Sequence, residues 1–394
     1  MRWTSALSER IDPREAFTEA AEAVREDLQG DPDLTLLFTS DHFASAYPQL
    51  PRWSRELLGD GALIGCSATG IIGQGREVER REGLSIVAAR LPDVDVRPFH
   101  CELPPDSAEG WAAVMGAPPT DDSCFVLLCD PFSLDAEGML RSLDAAAPRA
   151  PKVGGLISGA EGPGEGALFM GPHVLHEGMV GVALRGDIAM RTLVSQGCRP
   201  IGEPMIITRC SESVIQELNV GTPMAALRGL FADLPPRDQE LARHSLFVGI
   251  EMGDGGHHYG HGDFLIREVG GIDPDSGAMM VHGQIRDYQV VQFHLRDALA
   301  GAHDLERRLV ELERAGTPGP GSGALFFSCL GRGEGLYGAA NHDSDLFCRH
   351  LGALPMGGFF GNGEIGPVGG RTFVHGYTGS FAILGPVTGD PTPR

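Results

Sequence analysis

The chain has 394 residues, 42% hydrophobic and 21% charged, with 56 glycines and a formal net charge of −22. That length predicts two or three domains with sizeable cores. The acidity excludes phosphate backbones and anionic membranes as partners, and no apolar run reaches the ~18 residues of a membrane-crossing helix.

The opening segment, MRWTSALSERIDPREAF, has no signal-peptide core and carries acids early, so a cytoplasmic location is expected. Residues 11–29 show an amphipathic helix stripe through Ala20, Ala23, Val24 and Leu28. LTLLFTS follows as a buried strand, then a loop with Tyr47, Pro48 and Pro51, and a helix over 52–58. ALIGCSATGII is the next strand and its turn, and 85–99 reads as two antiparallel strands. A helix around Trp111 precedes the strand CFVLLCD; 135–147 is helical, and KVGGLISGA is again a strand. Residues 167–186 read as a hairpin about Gly171-Pro172.

A boundary falls near 195–205. Beyond it come strands and a helix capped by Thr222 with Pro223 at its first position. Strands follow at 244–251, 262–269, 277–283 and 288–293, then a helix over 295–315 and the linker TPGPGSG. The segment 324–385 closes the pattern. Three pairs of apolar runs therefore share one design: LTLLF with ALIGCSATG, CFVLLC with KVGGLISGA, and ALFFSC with PMGGFFGNGEIGP. Their separation suits a strand–helix–strand unit, and each second run ends in small residues that let backbone approach closely. The predicted fold is mixed α/β (α+β): repeated strand–helix–strand units with antiparallel extensions, in two related halves. No dinucleotide fingerprint or Walker motif is present.

Several segments carry chemistry. GFFGNGEIGP presents Gly358, Asn362 and Gly363 as candidates for an anion-binding nest, with Glu364 as acceptor for an ammonium, amide or hydroxyl. The competing reading is a strand that bends past a neighbour. FFSCLGRGEG places Ser328, Cys329 and Arg332 at a strand end, where Arg332 suits a carboxylate. Cys329 lacks a partnered histidine by motif, so a buried inert thiol is expected. Cys66, Ser67 and Ser158 end the other two strands and offer thiol or hydroxyl contacts, with close packing as the alternative. The eight cysteines are scattered without a CxxC pair, which predicts reduced thiols rather than disulfides or zinc. His257, His258 and His261 sit in a glycine-rich turn without metal-ligand spacing, and Asp343 and Asp345 read as helix-starting acids. No metal or cofactor is expected.

IGCSATGII, PMIITRCSESVIQELNVGTPMAAL, FLIREVGGID, FFSCLGRG and GFFGNGEIGP…FVHGYTGSFAIL together resemble the FIST module, named for F-box and intracellular signal transduction proteins. The resemblance divides the chain into a lead-in (1–32), a FIST N-terminal domain (33–200), a FIST C-terminal domain (201–385) and a tail (386–394). It implies a sensory protein that binds a small ligand, with amino acids proposed for the family, and a separate signalling partner protein. Little chain flanks the module, so a stand-alone sensor without attached kinase or F-box is expected. The ligand would lie between the halves, its carboxylate on Arg332 and the backbone of 358–363, its amine on Glu364 and Ser67 or Ser158. The protein is expected not to be an enzyme. The alternatives are thiol-dependent acyl transfer or hydrolysis at Cys329 or Cys66, which lack a nucleophile–base pairing, and a non-catalytic adaptor.

Overall fold

A computed structural model describes residues 1–253 and 259–387; His257 and His258 lie outside the described residues. The first copy runs β1 (Arg2–Ser8), α1 (Pro13–Leu28), β2 (Leu34–Ser40), α2 (Leu50–Leu58), β3 (Ala62–Ala68), β4 (Gly70–Gly73), β5 (Arg76–Glu79) and β6 (Leu84–Arg90). The helix boundary is written locally: Asp12 accepts from the Glu15 amide, Pro13 opens α1, and Gln29 ends it in the left-handed conformation.

The second copy repeats that order as β7 (Val94–Cys101), α3 (Ala108–Met115), β8 (Ser123–Cys129), α4 (Ala136–Ala146), β9 (Lys152–Leu156), β10 (Leu168–Met170), β11 (His173–Leu175) and β12 (Met179–Gly186). Strand β13 (Ala189–Gln196) opens the third copy. An insertion follows: β14 (Cys198–Ser211), β15 (Val214–Leu218), α5 (Pro223–Asp233), α6 (Pro236–Ala242), β16 (Leu246–Glu251), β17 (Phe264–Ile272), β18 (Met279–Val281) and β19 (Val290–Arg296). The third copy resumes with α7 (Ala298–Arg314), β20 (Gly323–Cys329), α8 (Glu334–Tyr337), α9 (His342–Leu351), β21 (Met356–Gly361), β22 (Gly363–Val368), β23 (Arg371–His375) and β24 (Thr378–Gly385).

The structure is mixed α+β. It contains three six-stranded sheets of one topology: β1-β6-β2-β3-β10-β11, β7-β12-β8-β9-β22-β23 and β13-β24-β20-β21-β4-β5. In each, a parallel pair (β2/β3, β8/β9 or β20/β21) is flanked by antiparallel strands. Each copy sends its hairpin to the sheet of another copy: β4–β5 joins β21, β10–β11 joins β3, and β22–β23 joins β9. The sequence expected residues 85–99 to hold paired strands, but β6 pairs with β1 and β2 while β7 pairs with β12. Residues 167–186 likewise divide, with β10–β11 forming the hairpin and β12 joining β7 and β8.

By packing, the described residues form two compact units, one of 1–194, 306–374 and 378–387, and a second of 195–253, 259–305 and 375–377. The third copy therefore packs with the first two. The second unit is a closed barrel, β14-β15-β18-β17-β16-β19, filled by Ile207, Ile215, Val248, Met279, Val291 and Leu295. The first unit's largest core draws matching residues from every copy: Leu36 and Phe38, Val126 and Leu128, Leu325 and Phe327. Phe327 meets Phe38 and Phe359 edge to face there.

Candidate functional site

The strand ends singled out by their small residues converge within the first unit. Gly65, Gly154 and Gly358 occupy the same register, opposite Leu37, Leu127 and Phe326. A Cβ would lie 2.2, 1.7 and 1.7 Å from the carbonyl oxygens of those partners, so only glycine fits. Four positions on, Thr69, Ser158 and Asn362 join the copies. The Ser158 hydroxyl accepts from the Thr69 amide at 2.9 Å and donates to the Phe360 carbonyl. Asn362 donates its side-chain amide to Ile157 and its backbone N–H to Leu156, both at 3.0 Å. Ser67 accepts from the Ala167 amide at 2.9 Å, and Cys66 is buried in the apolar core.

These positions correct the expectation that Cys66, Ser67 and Ser158 face a guest: Ser67 and Ser158 fasten one copy to another, and Cys66 packs in the apolar core. They correct the nest as well. Residues 356–361 and 363–368 are strands, and among them only Gly358 has positive φ. The strand-bend reading of Gly358, Asn362 and Gly363 is the one the backbone supports.

Arg332 and Glu364 lie elsewhere, in an ionic cluster of the third copy beside Ser328 and Cys329. The turn after β20 is fixed by the Arg332 amide donating to the Cys329 carbonyl. Arg332 is 1% exposed, and its Nε donates to Asp343 Oδ2 at 2.8 Å. The sequence offered Arg332 to a ligand carboxylate; Asp343, at the first turn of α9, already holds it. His342 Nδ1 lies 2.9 Å from Asp343 Oδ1, the His342 ring stacks on Tyr337 at 3.6 Å, and Tyr337 lies under the guanidinium at 5.6 Å. The nearby guanidinium holds the Asp343 carboxyl low against its own burial.

Two further carboxyls adjoin this pair. Glu77, brought by β5 from the first copy, accepts from the Ser344 amide at 2.8 Å through Oε1, while its own N–H donates to Asn341 Oδ1. Burial and the Asp343 charge push it up to about 7. Glu364 is fully buried and takes the Thr378 hydroxyl at 2.7 Å and amide at 3.2 Å on Oε2. Burial pushes it up to about 8, opposed by Thr378 and the Arg332 charge. Glu77 Oε2, Glu364 Oε1 and Ser328 Oγ have no hydrogen-bond partner among the described residues.

Glu364 also breaks a pattern. It pairs with Gly155 as Leu168 pairs with Cys66 and Ile71 with Phe359, and both counterparts belong to the apolar core. A carboxyl where two copies place an aliphatic chain is a local violation of the kind found at functional sites. Over the cluster runs α8, bounded by Gly333 and Gly338, both at positive φ. Sequence reading found Arg332 and Glu364, took Asp343 for a helix start only, and missed Glu77, Tyr337 and Thr378. Glu77 sits in REVERR, where nothing local marks it. Its place follows from the exchange of hairpins between copies.

The FIST N domain family model matches residues 33–220 and the FIST C domain model residues 225–367. An uncharacterized protein of Mycobacterium tuberculosis is 36% identical over 385 residues, 98% of this chain and 100% of the relative. One from Mycobacterium bovis is 33% identical over 374 residues, 95% and 96% respectively. Human F-box only protein 22 is 34% identical over 73 residues, 18% of each chain. Among solved structures, cyanuric acid hydrolase from A. caulinodans aligns over 98% of this chain and 99% of that one, with 11% identity and a TM-score of 0.38.

Proposed function

The chain belongs to the FIST family, whose domains are generally sensory, ligand-binding signalling modules, and from that premise we propose that it senses a small amino-acid-like molecule at the Arg332–Asp343 cluster. The observation that carries this is the pair of buried carboxyls, Glu77 and Glu364, each with one oxygen lacking a partner. A ligand ammonium would fill those acceptors, and its charge would favour ionisation of both groups. Because Asp343 occupies Arg332, the amine rather than the carboxylate is the anchor. Entry would need α8 to swing on Gly333 and Gly338, taking Tyr337 with it. Such a step gives binding a conformational readout, since a ligand shifts states only through differential contacts.

The protein acts in the cytoplasm without catalysing a reaction and hands its signal to a partner protein. A thermal-shift screen of amino acids at millimolar concentration tests the site. A stabilising amino acid should lose its effect in Glu364→Gln and Glu77→Gln, while a distant Leu103→Ala protein retains it. Equal stabilisation of all four proteins would sink the assignment. A thiol-dependent reaction narrows to Cys329, half-buried with the Gly331 amide 3.4 Å from its sulfur. Burial pushes the Cys66 thiol well above its usual range.

A further inference from the structure

The barrel of 195–305 carries a hollow that the ionic cluster does not use. Open to solvent, it spans about 870 Å³ and is lined by Val214, Gly271, Ala278 and Met280 with Arg209, Glu217 and Asp273 at hand. Its floor follows from strand register. Val214 pairs with Met280 and Met280 with Gly271, one outward-facing rung across β15, β18 and β17. The neighbouring rung, Ile215–Met279–Ile272, turns into the barrel core. Met280 is 44% exposed. At Gly271 a Cβ would meet nothing within 4 Å, so the glycine leaves the floor bare.

The rim is acidic. Arg209 lies 3.8 Å from Glu217; Asp273 adds a further carboxylate, held low by the Asp275 amide and the Ser276 hydroxyl. A closed barrel offers no open strand edge for pairing, so an extended segment has no ladder to join. An α-helix occupies roughly 420 Å³ per turn, so the hollow has room for about two turns. We propose that this hollow docks an amphipathic helix of a partner protein, apolar residues on the Val214–Met280–Gly271 rung and basic residues toward Asp273 and Glu217.

Fluorescence anisotropy of the full chain with a labelled leucine–lysine peptide at helical spacing tests this. A scrambled peptide of the same composition and a leucine–glutamate version serve as comparisons. The leucine–lysine helix should bind, the scrambled peptide at least about tenfold more weakly, and the acidic version not at all. Met280→Asp separates docking from charge attraction to a protein of net charge −22. It makes the protein more acidic, so attraction alone would tighten binding; docking on the rung would weaken it about tenfold or more. Leu103→Asp, in the other compact unit, adds the same charge and should not weaken it. Binding that tightens or holds in Met280→Asp, or that ignores helical spacing, would overturn the proposal.

Discussion

Glu364 couples the candidate site to pH in a direction that can be worked out. Its carboxyl titrates near about 8 when folded, against an ordinary 4.5. Between those values the folded chain holds a proton that the unfolded chain has released. The stability this gives is complete below about pH 4.5 and is lost as pH rises through about 8. Glu77, at about 7, works in the same direction over a shorter span. Glu364→Gln keeps a neutral side chain of the same shape and removes the titration. Urea unfolding at pH 5.5 and pH 9 should show the wild type losing roughly 2–4 kcal/mol more than the variant. Parallel losses in the two proteins would mean that Glu364 is already ionised in the fold. Legibility at this scale was uneven. Glu364 announces itself as the one acid in a glycine-rich run, whereas Asp343 serves as both a helix-starting acid and the partner of Arg332, and spacing reveals only the first role.

At the scale of elements, the repeated strand–helix–strand units were legible because each strand is a continuous apolar run and each second strand carries a glycine under its neighbour's carbonyl. Partner choice was not. Strands β6 and β7 lie next to each other in sequence yet belong to different sheets, since hairpins and returning strands are traded among copies and no local pattern encodes that trade. The joints are polar bonds at the strand ends, with Ser158 holding Thr69 and Phe360 together. Ser158→Ala removes a buried hydroxyl that both accepts and donates, and leaves a buried amide and carbonyl without it. The expected cost is about 2–4 kcal/mol, read by denaturant unfolding, with faster hydrogen exchange at the Thr69 amide than at amides in the centre of β2. A loss below about 0.5 kcal/mol, the scale of a neutral surface change, would show that the copies are held by apolar packing alone.

Across the whole molecule, triplication raises the question of how many ligands one chain can hold. The three sheets share one topology, so three equivalent strand-end sites exist in outline, but their chemistry has diverged. Ser40, Asp130 and Cys329 correspond at the ends of the first strands. In the first copy the Ser40 hydroxyl accepts from the Gly83 amide at 3.1 Å. In the second, Asp130 Oδ2 takes the Ser133 amide and hydroxyl, and Ser133 takes the Gly178 amide. In the third, the equivalent amide, that of Thr378, is capped by Glu364. The incoming hairpins differ in the same sense: Ile72 faces Glu77 across β4–β5, whereas Phe169, at the equivalent position opposite Gly65, faces Val174 across β10–β11. Among the described residues, the third copy's strand end sets the buried Arg332 beside two buried carboxyls, Glu77 and Glu364, that each retain an open acceptor. Calorimetric titration with the amino acid that gives the largest thermal shift should therefore saturate at one ligand per chain. Saturation at three would place recognition in features the copies share, which are their backbone and their glycines, and would remove Glu77 and Glu364 from the site.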